Sequence, residues 1–473
     1  MDNADPTGAL DPRGALESLV AELGDAVSVD PVELDASRTD KSGWISDGTP
    51  LAVVNATSIA EVQAVMRIAS VFGTPVVPRG AGTGLAGGAN GTEGAIVLSV
   101  AGMRRILEIS PEDELAVVEP GVINAELNTA LREHGLWFAP DPASKAIASV
   151  GGNIATNAGG LLCAKYGVTR EAVLGLKVVL ADGRLIETGH RTVKGVTGYD
   201  LTALFVGSEG TLGVIVEATV RVLPLPVGET ATIGAVFPDI ASAASASASI
   251  TAARLRPAVM ELLDAPSLAA IADYLGASVV NGVMDTASGA YLVVQFDGPS
   301  AHEEAERALL LVRAAGGAAR LSADAETGES LLAIRRAFHP ALEARGVVLI
   351  EDVAVPRSRM VDMFLAIERI GLKYGLSIPT VAHAGDGNLH PNFVYSGDTV
   401  PDHVWAAADE MFRTAIELGG TLTGEHGVGV LKRRWLTAEL GADSYDLQVR
   451  LKAVFDPLGI LNPGKVFDEA PGV

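Results

Sequence analysis

Cysteine is nearly missing from this chain: Cys163 is the only one in 473 residues. A single thiol closes no internal disulfide and cannot build an all-cysteine metal site. It also suits a reducing compartment. Positive charge is short too, with 35 Lys and Arg against 58 Asp and Glu. The resulting net charge of −23 argues against a nucleic-acid partner, whose phosphates need a basic face, and against anionic membrane surfaces. An anionic substrate would need a local cationic pocket working against that field. No run approaches the ~18 consecutive apolar residues that read as a membrane-crossing helix. The first residues, Met-Asp-Asn-Ala-Asp-Pro, are acidic with no apolar centre. No signal peptide is therefore expected, and the cytoplasm is the expected compartment.

Glycine, by contrast, is abundant and clustered. Pro78 to Gly91 reads Pro-Arg-Gly-Ala-Gly-Thr-Gly-Leu-Ala-Gly-Gly-Ala-Asn-Gly, a density that neither a helix nor a central strand tolerates. Strand signals flank it at 74–77 and 95–100. The stretch therefore predicts a loop whose bare backbone N–H groups can converge on an anion, such as the pyrophosphate of a large cofactor. Gly82-Thr-Gly-Leu-Ala-Gly87 matches G-x-G-x-x-G, but that fingerprint must open a helix. Here more glycine and then a strand follow, which excludes a Rossmann site.

Ahead of that loop, Leu16, Leu19, Val20 and Leu23 share a helix face. A strand at 51–54 precedes a helix capped by the Ser58/Glu61 pair. Strands at 105–109 and 115–119, a helix from about 124 to 134, and a hairpin at 176–188 turning at Asp182-Gly183 come after it. A second glycine-rich segment, 150–160, follows Pro140-Asp-Pro-Ala-Ser144. A third, 207–213, leads into a strand at 214–223. Leu223-Pro-Leu-Pro226 reads as a boundary.

Beyond it strand and helix signals alternate: strands at 232–237, 259–263, 291–296 and 347–355, and helices at 240–254, 266–275, 301–315, 327–345 and 358–374. That texture predicts an α+β domain with helices on one face of a mainly antiparallel sheet. An amphipathic helix carrying Leu447, Leu451, Val454 and Phe455 stops at Pro457, before the turn Asn462-Pro-Gly-Lys465. The expected domains are an N-terminal helical segment 1–39, a cofactor domain 40–226, a cap domain 227–444, and a returning tail 445–473.

Two glycine-flanked segments hold the chemistry-bearing side chains. His383-Ala-Gly-Asp-Gly-Asn-Leu-His390 and Thr423-Gly-Glu-His-Gly-Val-Gly429 contain three of the eight histidines. Ligands of imidazole and carboxylate type, without thiolate, suit Zn²⁺, with Mn²⁺ or Fe²⁺ as alternatives. His383 and His390 are seven apart, so they are not a helical i, i+4 pair. Asp386-Gly-Asn388 would turn the chain between them. The expected ligands are His383, His390 and Glu425, with His426 left over as a base. The plainer alternative is that these histidines only hydrogen-bond loop backbone.

With these motifs in order, the chain resembles the FAD-linked 2-hydroxyacid dehydrogenases of the vanillyl-alcohol-oxidase superfamily over about residues 40–467. That family includes D-lactate dehydrogenases, the glycolate oxidase flavin subunit and D-2-hydroxyglutarate dehydrogenase. The resemblance implies an α+β fold: a two-part FAD-binding domain with an inserted cap built on an antiparallel sheet. It implies flavin contacts from Pro78, Arg79, Gly80, Ala81, Gly82, Thr83, Gly84 and Leu85. Further contacts are implied from Pro142, Ala143, Gly151, Gly152, Asn153, Thr156, Asn157, Gly159 and Gly160. Gly210, Val214, Ile215, Glu425 and Asn462 complete the implied set.

It also implies a mechanism. A 2-hydroxy acid chelates the metal, His426 takes the hydroxyl proton, and the Cα hydrogen passes to the flavin as hydride. Arg335 resembles the family's carboxylate-binding arginine. Thr83 stands where some superfamily members carry a flavin-tethering histidine, so FAD is expected without a covalent bond. Ile350 stands where members acting on 2-hydroxyglutarate carry a lysine, which favours a small monocarboxylate such as D-lactate or glycolate. D-2-hydroxyglutarate remains the alternative, through His339 or Arg336. A non-redox FAD-containing transferase and a subunit working only with an iron–sulfur partner are rival readings. An external electron acceptor (quinone, cytochrome or electron-transfer protein) is expected, and a homodimer is left open.

Overall fold

The computed structural model describes residues 11–276, 289–397 and 399–468; the expectation about Met1–Pro6 lies outside them. The chain divides into two compact units. One comprises residues up to Gly159, Val168–Leu225 and Glu425 onward; the other comprises Gly160–Gly167 and Pro226–Gly424.

Among the described residues the first unit holds two larger sheets and a two-stranded pair of Leu136–Trp137 with Leu223–Pro224. In the smaller of the two sheets, the strand order is Val27–Ser28, Ala52–Asn55, Ile96–Ser99, Val76–Arg79. Ile96–Ser99 runs parallel to both neighbours. The strand at 27–28 belongs to the segment 1–39 expected to be helical, and it pairs antiparallel with Val53–Val54. The helix Ile59–Phe72 connects two of these strands. Its start is fixed by the reciprocal Ser58/Glu61 capping box and its end by Gly73 in the left-handed conformation, both legible in the sequence. Its apolar face, Val62, Val65, Met66 and Ala69, is buried with Val54, Ile96, Leu98 and Leu461.

The second sheet is antiparallel, in the order Ile106–Ser110, Leu115–Val118, Val214–Arg221, Val173–Val179, Leu185–Gly189. Its core is shared with Leu127, Leu131, Phe138, Ile154 and Phe205. The tail comes back to the first sheet: the Val76 N–H donates to Ile460 O at 2.7 Å, and the Asn462 N–H to Val76 O at 2.8 Å. The expected cap boundary at 444 moves to Gly424. Beyond it the chain is tied to the first unit through Val430 N–H to Ala86 O and Val466 N–H to Gly429 O.

The second unit is built on an eight-stranded sheet, all of whose pairings are antiparallel. Its order is Ala318–Leu321, Ala231–Phe237, Ala290–Phe296, Val259–Asp264, Thr380–His383, Asn388–Tyr395, Val347–Ile350, with Val353–Ala354 also on Asn388–Tyr395.

Three expected elements differ. The helix expected at 327–345 breaks at Ala337 into Ala325–Arg336 and Phe338–Glu343, where Pro340 has no N–H to continue the ladder. The strand expected at 347–355 is interrupted at Glu351 and Asp352. Glu351 donates to Pro391 O, and Pro391 cannot donate back. The glycine-rich segment at 150–160 contains a seven-residue helix, Val150–Thr156, capped by the Ser149 side chain. The turn expected between His383 and His390 joins the strands Thr380–His383 and Asn388–Tyr395, while the helices Asp402–Glu417 and Arg433–Leu440 were not anticipated.

Candidate active site

The glycine loop leaves the strand Val76–Arg79 and rejoins the sheet at Ile96 without an intervening helix. Its two halves do different work. Residues 84–91 are tied down almost atom by atom. Lys41 N–H donates to Gly84 O, Val430 N–H to Ala86 O, and Gly91 N–H to Ser37 O. The Gly87 N–H donates to Asp40 Oδ2 at 3.0 Å. Lys465 Nζ donates to Gly87 O at 2.9 Å and Asn90 O at 3.0 Å. The Asn462 amide donates to Gly88 O at 2.9 Å, and the Arg79 guanidinium to Ala89 O and Thr39 O.

The N–H groups of residues 80–86, in contrast, donate to no protein acceptor among the described residues. Seven consecutive unclaimed donors in a braced loop are a nest for a polyanion. Arg79 and Lys465 turn their charge to the carbonyl side of the loop, so they shape the nest rather than reach into it.

A cavity in the first unit opens over this loop. Pro78 to Leu85, Pro142, Ala143, Gly151, Gly152, Asn153, Thr156, Gly159, Gly210, Val214, Ile215 and Glu425 all line it, and so does His426. Asn153 Nδ2 is buried there without a hydrogen-bond partner, as expected of a donor waiting for a ligand. These features fit a dinucleotide cofactor.

Three residues expected to line the cavity do not. Asn157 is the left-handed cap of the helix Val150–Thr156, with Oδ1 accepting Arg170 N–H. Gly160 groups with the second unit. Asn462 works behind the loop, donating to Gly88 O and to Glu209 O at 2.7 Å.

Glu209 was passed over in the sequence, though Gly-Ser-Glu-Gly hinted at a strained turn. Its φ is 50°. Its carboxylate accepts Val428 N–H at 2.7 Å and Gly429 N–H at 2.9 Å, just past Glu425 and His426. Burial pushes its pKa up to about 7 against those bonds. Burial likewise pushes Lys465 down to about 8, while Asp40 pulls it back up.

In the second unit, the tight hairpin at 384–387 joins the strands carrying His383 and His390. Both rings are buried, and their Nε2 atoms are 3.2 Å apart. His383 Nδ1 lies 2.6 Å from Glu261 Oε1. A carboxylate only accepts, so that nitrogen carries the proton and Nε2 presents its lone pair. His390 Nδ1 is 3.9 Å from Asp352 Oδ1. Two ring nitrogens facing each other this closely suit a cation or a proton between them.

His383, His390 and Glu425 each offer a ligand atom, and these atoms all lie within 4.8 Å of one another. They form a possible metal-ligand group, and an N,N,O set is ordinary for Zn²⁺. A Cβ at Gly159 would sit 2.7 Å from Glu425 Oε1 and push that carboxylate aside.

Arg335 is nearly buried, at the end of the helix Ala325–Arg336. Its Nε donates to Glu261 Oε2 at 2.7 Å. One edge of the expected bidentate fork is therefore already taken. The two terminal nitrogens make no hydrogen bond among the described residues. Arg336 is exposed and paired with Glu329. Glu261 and Asp352, missed as site residues, had one signal: acids inside otherwise apolar strand sequence.

Comparison with known proteins bears on the same residues. A family profile described as "FAD linked oxidases, C-terminal domain" matches residues 228–466, and "FAD binding domain" matches 50–189. The glycolate oxidase subunit GlcD of Bacillus subtilis is 42% identical over 450 residues, 92% of this chain and 94% of that one. A D-lactate dehydrogenase of Archaeoglobus fulgidus is 35% identical over 460 residues, 95% and 99% of the two chains. Among solved structures, p-cresol methylhydroxylase with substrate bound superposes with a TM-score of 0.76 at 19% identity, covering 96% of this chain and 97% of that one. That likeness concerns the fold. Among the described residues no helix is long and apolar enough to cross a membrane.

Proposed function

We propose, from the premise that this chain belongs to the FAD-linked oxidases, that it is an FAD-dependent dehydrogenase oxidising a small D-2-hydroxy acid, of the lactate or glycolate type, to the 2-oxo acid. The observation that carries this reading is the group His383, His390 and Glu425, with Arg335 and His383 held on the two oxygens of Glu261. A 2-hydroxy acid carries the two functions such an arrangement suits: a hydroxyl and carboxylate that chelate, and a carboxylate that an arginine can hold. The names of the relatives, glycolate oxidase subunit and D-lactate dehydrogenase, support the same substrate class.

When bound, FAD supplies the two-electron acceptor for hydride leaving Cα, and the divalent cation supplies Lewis acidity toward the substrate oxygens. The chain's residues do the rest. Residues 80–86 would hold the cofactor's pyrophosphate through backbone N–H groups, and Asn153 Nδ2, lining the same cavity, would donate to it. His383, His390 and Glu425 would hold the cation, Zn²⁺ first, with Mn²⁺ or Fe²⁺ as alternatives. Arg335 orients the substrate carboxylate through its terminal nitrogens. The imidazole of His426 would accept the hydroxyl proton. Thr83 cannot tether a flavin as a histidine would, so acid precipitation should release all the FAD into solution.

Ile350 faces Asn392 across the sheet and offers no charge for a second carboxylate. Arg336 is committed to Glu329. Both points favour a monocarboxylate over D-2-hydroxyglutarate.

Adding D-lactate or glycolate anaerobically to the purified flavoprotein should bleach its visible absorbance. No bleaching by either, or by D-2-hydroxyglutarate, refutes the reading. The word "subunit" in the name of the Bacillus relative favours a second reading for turnover, in which electrons leave through another polypeptide. In that case bleaching occurs, but dye reduction is slow until the partner is added.

A further inference from the structure

One buried acid has no part in the mechanism above. Glu261 lies in the strand Val259–Asp264, fully buried among Met260, Leu262 and Leu263. A carboxylate in such a place costs several kcal/mol unless its charge is compensated and its lone pairs are used. Both oxygens are used, each on a different partner. Oε2 accepts Arg335 Nε at 2.7 Å and Oε1 accepts His383 Nδ1 at 2.6 Å. The contact with His383 is built into the sheet, because antiparallel register sets Glu261 directly opposite His383. The contact with Arg335 comes from the helix Ala325–Arg336.

We propose that Glu261 is a positioning residue serving the two halves of the site at once. It fixes the His383 ring so that Nε2, not Nδ1, faces the metal position. It also fixes the Arg335 guanidinium by its Nε edge, so that its terminal nitrogens remain for the substrate carboxylate. The inference rests on the metal and substrate reading of the preceding subsection. A simple structural ion pair would need only one partner. Sharing one carboxylate between a metal ligand and a substrate-holding arginine couples their geometries, so a displacement of either is felt by the other. His390 has a weaker counterpart: Asp352 is 3.9 Å away and holds Thr423 Oγ1 at 2.6 Å. The tight contact is the one on Glu261.

The test uses the full-length flavoprotein and the variants Glu261→Gln and Glu261→Asp. Zn²⁺ and Mn²⁺ affinities are read against a competing fluorescent chelator, on protein shown folded by circular dichroism. KM and kcat for D-lactate are measured alongside. Loss of an orienting carboxylate behind a ligand histidine should weaken metal binding about 10–100-fold. Freeing the guanidinium should raise KM by roughly tenfold or more. Glu261→Asp keeps the charge but is one methylene short of spanning both partners, so it should lose at least one of the two properties. It is also the fallback if the glutamine variant does not fold.

Arg335→Met separates the halves: KM rises while metal affinity holds. Wild-type metal affinity in both folded Glu261 variants, with only a lower melting temperature, overturns the proposal and leaves the metal reading standing. A wild-type protein that binds neither cation overturns the metal reading, and this inference with it.

Discussion

Replacing Glu209 by glutamine should abolish a loss of stability that builds up as pH rises to neutrality, and make the protein a worse catalyst. The folded-state pKa of Glu209 is about 7 against an ordinary 4.5, burial being the main cause. Below pH 4.5 both folded and unfolded chains hold the proton, and nothing is lost. Between 4.5 and 7 the unfolded chain ionises while the folded one keeps its proton, so stability falls as pH rises. Above 7 the whole penalty is present. At 1.36 kcal/mol per pH unit that gap is worth about 3 kcal/mol. Glu209 is only half-buried, since it lines the cofactor cavity, and water there screens part of the cost. About 2 kcal/mol is the size expected for the protein without FAD.

Glutamine does not titrate, so the variant lacks this loss. It keeps one acceptor where the carboxylate has two, so either Val428 N–H or Gly429 N–H is released. The turn just after His426 then loosens. Guanidinium unfolding of both proteins at several pH values from 5 to 8.5 gives the comparison. The difference in stability should grow in favour of Glu209→Gln by about 2 kcal/mol across that range, while kcat for D-lactate falls. Stability curves that stay parallel over the whole range would refute the argument.

Three further outcomes follow from the same geometry. Lys465→Met removes the two charge-assisted bonds to Gly87 O and Asn90 O and should weaken FAD binding roughly ten- to hundredfold, read by equilibrium dialysis; an unchanged affinity would mean the loop is braced without it. Gly429→Ala places a Cβ 2.0 Å from Ala86 O at a φ of 48°, so it should cost at least 1–3 kcal/mol of backbone strain, lower the melting temperature and shed FAD. Ser58→Ala removes half of a capping box far from the site, and should cost about 1 kcal/mol with no change in FAD affinity or kcat.

Much of this protein could be read from local chemistry. Glycine density from Gly80 to Gly91 specified a loop that no helix could replace. Ser58, Glu61 and Gly73 fixed both ends of a helix, because capping needs only neighbours in sequence. Strand periodicity gave most of the antiparallel sheet. His383, His390 and Glu425 were visible because histidines among glycines are unusual at any spacing. Pro340 and Pro391 were present in the sequence as breakers, but their effects were missed, since an apolar pattern runs on past them.

Tertiary structure decided which of these residues face each other. Nothing local says that Glu261 pairs with His383, more than a hundred residues away; strand order and register settle that. Nor could sequence reveal that Arg335 spends its Nε on Glu261, or that Lys465 reaches back to brace Gly87. Long-range partners of buried charges are chosen by where the chain packs. The burial that makes those pairings necessary exists only once the fold has closed around them.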